Sequence, residues 1–122
     1  MTVQYAGAKN PMFLIRDKEL TIYKATKQAI GENPYTNRST YENNEIKVQK
    51  GDLLYLFSDG YADQFGGEEN KKFKDIRFWK MLIAICDKPM DEQKQIIHET
   101  LEQWKGSNEQ VDDILVIGIR IV

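Results

Sequence analysis

The sequence is poor in the residue types that build disulfide and zinc sites, with one cysteine and one histidine among its 122 residues. Cys86 alone cannot form an internal disulfide, and Cys86 with His98 is too small a set for a Cys/His zinc cluster. Any bound metal must therefore be held by oxygen ligands. We expect Cys86 to be a small buried side chain on an apolar helix face, not a nucleophile.

Long apolar runs and an excess of one charge are also lacking. The longest apolar run, residues 81–86, is far shorter than the roughly 20 residues that span a bilayer, and the first ten residues do not resemble a secretion signal. The 17 basic residues nearly balance the 19 acidic ones, for a net charge of -2. Because no broad basic field results, we predict no nucleic-acid partner and no membrane segment, and we expect a cytoplasmic globular domain or part of one.

The first half of the sequence has the short apolar and alternating runs that are typical of β-strands. Strands are predicted at residues 3–6, 12–16, 20–24 and 45–49. Residues 53–57 are apolar without interruption, which favours a central strand covered on both faces. Residues 25–44 are polar and are predicted to form a long loop.

The second half changes to helical spacing. Apolar residues recur every three or four positions over 73–86, which predicts an amphipathic helix that ends before Pro89. A second helix is predicted from an N-cap at Asp91 through residue 104, with Gly106 as its C-cap. Residues 114–122 predict a last strand. Strands, two helices and one more strand indicate an α+β layered fold.

Two acidic sites lie where predicted strands meet loops. Asp59 follows the strand 53–57 and precedes Gly60, which permits a sharp turn, and Asp112 and Asp113 stand before the last strand. Carboxylates at the ends of neighbouring strands could converge on Mg²⁺ or Mn²⁺, which prefer oxygen ligands. Ser-Asp-Gly is also common in plain turns, and Asp pairs are common at helix caps and solvated rims, so spacing alone leaves both interpretations open.

Three blocks of sequence carry a resemblance to a known family. They are residues 5–11 (YAGAKNP), residues 50–67 (KGDLLYLFSDGYADQFGG) and residues 110–118 (QVDDILVIG). In this order and spacing they resemble the C-terminal half of a bacterial metal-dependent serine/threonine phosphatase domain of the PPM (type 2C) superfamily, in its SpoIIE/RsbU-like branch. The resemblance implies that residues 1–122 are the C-terminal portion of one such domain. The implied fold is part of an α/β/β/α sandwich, mainly antiparallel, with two helices on one face.

The resemblance also implies site residues, a cofactor and partners. Asp59 and Asp112 match two metal ligands of the family, and Asp113 is a further candidate. In the family a binuclear Mn²⁺ or Mg²⁺ centre activates a water that attacks phosphoserine or phosphothreonine. The implied partners are a phosphoprotein substrate, with proteins of the anti-sigma-factor antagonist type as candidates, and upstream sensor domains in the full-length protein. Because half of a domain leaves apolar surface and unpaired strand edges, we also expect a homo-oligomer.

One family element has no counterpart in this sequence. The Asp-x-x-Gly-His-Gly block supplies the acid that bridges both metals, and His98 lies in a predicted helix without flanking glycines. We therefore expect weak or no metal binding and no activity from this chain by itself, because two carboxylates offset the dehydration of the ion poorly. The alternative is a non-catalytic regulatory or dimerisation module with a degenerate phosphatase fold.

Overall fold

The computed structural model describes residues 2–5, 11–23 and 44–122, which form eight strands and three helices. The strands are β1 (Thr2–Tyr5), β2 (Met12–Arg16), β3 (Glu19–Tyr23), β4 (Asn44–Lys47), β5 (Leu53–Phe57), β6 (Phe65–Gly66), β7 (Lys71–Lys72) and β8 (Val116–Arg120). The helices are α1 (Gly60–Asp63), α2 (Asp75–Ile85) and α3 (Met90–Lys105).

A four-stranded antiparallel sheet is the centre of the fold. Its strand order is β3-β2-β5-β8, so that β5 is an inner strand between β2 and β8. Tyr55 fixes the register, because it faces Phe13 on one side and Gly118 on the other. β1 and β4 form a separate antiparallel pair, and β6 and β7 form a short hairpin. β5 and β8 are neighbours in space although α1, α2 and α3 all lie between them in the chain.

One face of the sheet packs against the helices. Successive side chains of a strand point to opposite faces, so alternate residues of β2 and β5 contribute to this core. Phe13 and Tyr55 are each 1% exposed, and Leu82 of α2 is fully buried against the same face. The buried residues of this cluster are Phe13, Ile15, Leu53, Tyr55, Tyr61, Phe73, Phe78, Leu82, Cys86 and Leu101.

The opposite face of the sheet packs against the segment that contains β4. Met12, Leu14 and Leu54 are the intervening residues of β2 and β5, and they form a second cluster with Ile46 of β4 and with Val48. β5 therefore has apolar cover on both sides, which accounts for its uninterrupted apolar sequence.

The structure confirms the α+β class, the antiparallel sheet and the two helices packed on one face. The strands predicted at 12–16 and 53–57 are present with those bounds, and Cys86 is buried as expected, at 8% exposure. The predicted loop at 25–44 lies outside the described residues except for its last position. Among the helices of the described ranges, none is long and apolar enough to cross a membrane.

Three local predictions were wrong. Asp91 is not an N-cap: α3 begins at Met90 behind Pro89, whose backbone is extended, and the carbonyl of Pro89 accepts the first helical bond from Gln93 at 2.9 Å. Asp91 lies instead in the first turn, where a negative charge suits the helix dipole. The other helix starts at Asp75 instead of residue 73, because its N-cap Lys74 has a φ of 75°, outside the helical range, and the N–H of Phe73 bonds to the carbonyl of Gln64. The last strand is confined to Val116–Arg120.

Candidate metal site at the end of strands β5 and β8

The pairing of β5 with β8 brings the two acidic segments of the sequence to one end of the sheet. The strands are antiparallel, and Phe57, the last residue of β5, faces Val116, the first residue of β8. Asp59 follows β5 by two positions and Asp113 precedes β8 by three. The segments that carry the predicted ligands therefore meet at the same end of the sheet, although they are more than fifty residues apart in the chain.

Ser58 fixes the contact between the two segments. Its backbone N–H donates to the carbonyl of Leu115 at 2.9 Å. Its hydroxyl donates to the carbonyl of Asp113 at 2.8 Å and accepts a bond from the N–H of Leu115 at 3.0 Å. Sequence reasoning did not assign a role to Ser58. Its position beside Asp59 was the available signal, since a short hydroxyl side chain at a strand end commonly bonds to backbone.

Gly60 allows the turn after Asp59 to lie directly against the second segment. A Cβ at this position would be 2.2 Å from the carbonyl oxygen of Asp113 and 2.9 Å from Cγ1 of Ile114. No side chain fits in that space, and Gly60 is buried. Gly60 was predicted to permit a sharp turn, whereas its main constraint is this close approach of two backbones.

The three predicted ligands are solvent-exposed at this edge. Asp59 occupies the N-cap position of α1 but makes no side-chain capping bond. Oδ1 of Asp112 accepts a bond from the N–H of Asp113 at 2.7 Å. In the described part of the chain none of the three is ion-paired, whereas nearby Asp63 lies 3.6 Å from the ammonium of Lys72. Among the residues that the structure describes, no cation therefore pairs with these three carboxylates at this end of the sheet.

The donor atoms at this edge suit a hard divalent cation in kind. Carboxylate oxygens are the ligands that Mg²⁺ and Mn²⁺ take, usually with several waters retained. In number the set is small: within residues 2–5, 11–23 and 44–122, no three His, Cys, Asp or Glu side chains are grouped so as to hold a metal. A common position for one cation between Asp59 and Asp112 stays a prediction.

Two buried polar side chains hold α1 in place behind the acids. The hydroxyl of Tyr61 donates to the carbonyl of Ile97 in α3 at 2.6 Å, and burial raises the pKa of that hydroxyl above its usual range. Gln64, fully buried, donates from Nε2 to the carbonyl of Glu109 at 2.9 Å. The short helix that follows Asp59 is thus bonded both to α3 and to the chain that leads to Asp112. Sequence reasoning missed both contacts.

A groove of about 720 Å³ lies between α3 and the segment that leads into β8. Tyr55, Tyr61 and Ile97 line its apolar floor, and none of the three aspartates contributes to it. The end of the sheet that carries Asp59, Asp112 and Asp113 is therefore a separate surface from this groove.

Comparisons with known proteins agree with this fold. The profile of the family described as Stage II sporulation protein E (SpoIIE) matches residues 1–122. The solved SiaA PP2C domain of Pseudomonas aeruginosa is 31% identical with a TM-score of 0.89, over 99% of this chain and 47% of that one. None of the curated proteins with which the chain was compared matches it.

More distant structures show the same fold at lower identity. The SpoIIE phosphatase domain of Bacillus subtilis, presoaked with Mn, is 19% identical with a TM-score of 0.64, over 98% of this chain and 50% of that one. The PPM Ser-Thr phosphatase MsPP of Mycobacterium smegmatis, in complex with cacodylate, is 15% identical with a TM-score of 0.55, over 99% and 56%. This chain spans about half the length of the structures that it matches. With its whole length matched by the family profile and its sheet and helices matched by these folds, the chain belongs to the SpoIIE family of PP2C-type phosphatase domains.

Proposed function

We propose that residues 1–122 are the C-terminal portion of a metal-dependent serine/threonine protein phosphatase domain in a cytoplasmic bacterial signalling protein. Asp59 and Asp112 are its metal ligands in this portion, and Asp113 is a third candidate. The observation that carries the proposal is the bonding of Ser58 to Asp113 and Leu115, which joins the two acidic segments at one sheet edge. The substrate class is a phosphoserine or phosphothreonine protein, with proteins of the anti-sigma-factor antagonist type as candidates.

In the proposed site the chain supplies carboxylates and a fixed backbone. When bound, Mn²⁺ or Mg²⁺ lowers the pKa of a water molecule and offsets the negative charge of a phosphoryl group. Asp59 and Asp112 would hold the cation from the two segments that follow β5 and precede β8. Ser58 and Gly60 keep the backbones that carry them in contact, and the exposed edge leaves room for a phosphorylated segment of another protein. The resemblance implies one further acidic ligand, which would come from a preceding half of the domain.

The experiment compares Mn²⁺-dependent hydrolysis of a phosphopeptide by the isolated chain and by a chain that includes the preceding half of the domain. We expect no turnover above background from the first and metal-dependent turnover from the second. In the longer chain, Asp59→Asn and Asp112→Asn each lower turnover by about 100-fold or more. Asp63→Asn is the matched control, because Asp63 lies four positions from Asp59 and faces Lys72. Robust turnover by the isolated chain, or full activity of Asp59→Asn, contradicts the proposal.

The second candidate is a non-catalytic regulatory or dimerisation module with a phosphatase fold. The observation that favours it is the small donor set, since the described residues contain no group of three metal-binding side chains. The same comparison separates the two functions. The module would be supported if the longer chain shows no turnover and if the Asp59→Asn variant regulates or dimerises as the wild type does.

A further inference from the structure

Gln64 is a buried amide placed between the two acidic segments. It follows α1 directly, five positions after Asp59, and its side chain is 0% exposed. A buried polar side chain costs stability unless hydrogen bonds replace those it made with water. The contacts of Gln64 therefore indicate what this amide does in the fold.

The side chain of Gln64 bonds to the backbone that leads to Asp112. Nε2 donates to the carbonyl of Glu109 at 2.9 Å, and to the carbonyl of Phe65 at 3.1 Å. Glu109 precedes Asp112 by three positions. The bond spans 45 positions of the chain, and it joins the end of α1, which follows Asp59, to the segment that ends in Asp112 and Asp113.

The backbone of Gln64 is itself held from two sides. Its carbonyl accepts a bond from Nε1 of Trp104 in α3 at 2.8 Å and another from the N–H of Phe73 at 3.0 Å. Its N–H bonds to the carbonyl of Tyr61 within α1 at 3.3 Å. Because this backbone is fixed against α3 and the start of α2, the amide can in turn fix the position of Glu109.

The oxygen of the Gln64 amide indicates that this side chain serves as a hydrogen-bond donor. With Nε2 directed at two carbonyls, Oε1 is buried and accepts no hydrogen bond from the residues that the structure describes. A buried oxygen without a hydrogen-bond partner destabilises the fold. An apolar side chain of the same length would avoid that cost but would lose the bond to Glu109. The amide is therefore better explained by the loop it holds than by packing.

We infer that Gln64 is a positioning residue of the metal site: by holding Glu109 it sets the place of Asp112 relative to Asp59, and it acts on metal affinity through Asp112. The inference rests on the proposed function, because it requires that both aspartates bind the cation. Gln64 does not touch the metal or the substrate.

The test is a Mn²⁺ titration of the longer chain that includes the preceding half of the domain, followed by electron paramagnetic resonance of the free ion, with Gln64→Met and Gln93→Met compared. Gln93 is the matched control: it is also a buried glutamine, 1% exposed, but its amide bonds to Lys88 at 2.9 Å and to the hydroxyl of Tyr55, away from the acids. We expect both variants to melt at lower temperature. Gln64→Met raises the Kd for Mn²⁺ by about 10- to 100-fold, whereas Gln93→Met leaves it unchanged.

Further variants separate failure of the inference from failure of the proposed function. If Gln64→Met does not fold, Gln64→Asn takes its place, since it keeps an amide that is one methylene too short for Glu109 and weakens Mn²⁺ binding in the same direction. Equal Kd values for the wild type and the folded position-64 variant, with binding lost in Asp59→Asn, overturn the inference alone. Mn²⁺ binding by the longer chain that survives both Asp59→Asn and Asp112→Asn, or no binding by the longer wild-type chain at millimolar Mn²⁺, overturns the proposed function and the inference with it.

Discussion

At the scale of single residues, Asp52 combines deep burial with full hydrogen bonding. Its carboxylate is 2% exposed. Nε of Arg16 donates to Oδ1 at 2.9 Å, a terminal nitrogen of Arg16 donates to Oδ2 at 2.6 Å, and the N–H of Gln49 donates to Oδ2 at 2.8 Å. The bonds from the Arg16 guanidinium hold the pKa of Asp52 below its ordinary value of 3.8, against the opposing effect of burial.

Because the folded and unfolded chains differ in the pKa of Asp52, the free energy of unfolding depends on pH. The unfolded chain takes up a proton on Asp52 at a higher pH than the folded chain does, so the contribution of this group is complete above the ordinary pKa and is lost as pH falls towards the lower folded pKa. We expect Asp52→Asn to cost about 1–3 kcal/mol at pH 7 and to flatten the fall of Tm below about pH 4.

Thermal melts between pH 3 and pH 7 check this expectation. Asp87→Asn is the control, because Asp87 lies 3.9 Å from Lys18 in an exposed pair and its loss should change stability by less than about 0.5 kcal/mol. Equal Tm values for Asp52→Asn and the wild type at pH 7 would show that the Arg16 pair adds nothing to stability.

The residues that sequence reasoning found and those that it missed differ in the kind of partner they have. Asp59 and Asp112 stand out because a carboxylate after an apolar run is visible in the sequence. Ser58 and Gln64 bond to backbone carbonyls that are 55 and 45 positions away. Since every residue has a carbonyl, no pattern in the sequence reports which one a side chain will meet.

At the scale of elements, the turn from β5 into α1 depends on close backbone packing. We expect Gly60→Ala to separate the Asp59 turn from Asp113, because the added methyl group would lie 2.2 Å from a carbonyl oxygen. The loss of stability should reach about 1–3 kcal/mol, and Mn²⁺ binding should weaken with it.

Gly106→Ala provides the comparison for Gly60→Ala. Gly106 ends α3 with a φ of +56° and has open space around it, so alanine there meets backbone strain without a clash. Chemical denaturation and a Mn²⁺ titration of both variants, made in the longer chain that includes the preceding half of the domain, give the result. We expect Gly106→Ala to lose stability and keep its metal affinity. Normal Mn²⁺ affinity in Gly60→Ala would show that the contact with Asp113 has no part in the site.

The elements that were predicted correctly are those in which the spacing of apolar residues matches the faces that are buried. β2 alternates between two buried faces, β5 is covered on both, and α2 and α3 each place an apolar side on the sheet. α1, with four residues, and the hairpin β6–β7, with two residues a strand, are too short to show a period. Their positions are fixed by tertiary contacts, such as the packing of Gly66 and Gly67 against Trp104.

At the scale of the whole molecule, one part of the sheet has little cover. Leu115, Ile117 and Ile119 are 56%, 42% and 44% exposed along β8 and the residue before it. Ile117 and Ile119 face Leu56 and Leu54 across the strand pair, on the side away from the helices. Among the described strands, β8 is also an edge of the four-stranded sheet. Exposed apolar side chains on a strand edge favour association.

We therefore expect the isolated chain to form dimers or larger assemblies through this surface. A double substitution, Ile117→Thr with Ile119→Thr, keeps residues that suit a strand and should shift the chain towards monomer in sedimentation velocity. Ile76→Thr is the control, because Ile76 is 59% exposed on α2 as a single apolar residue. A wild-type chain that sediments as a monomer across micromolar concentrations would contradict the prediction.

The bonding of Ser58 to Leu115, two residues 57 positions apart, also has a consequence for the order of folding. Closing so long a loop costs conformational entropy, and the cost is offset only when the strands pair, so we expect contacts of this kind to form late. A state in which β8 has not yet docked still contains Asp59 but has not brought the segment of Asp112 to the same end of the sheet. In the proposed site a cation would therefore bind the completed sheet in preference to its precursors, and metal would act as a ligand that selects the folded chain.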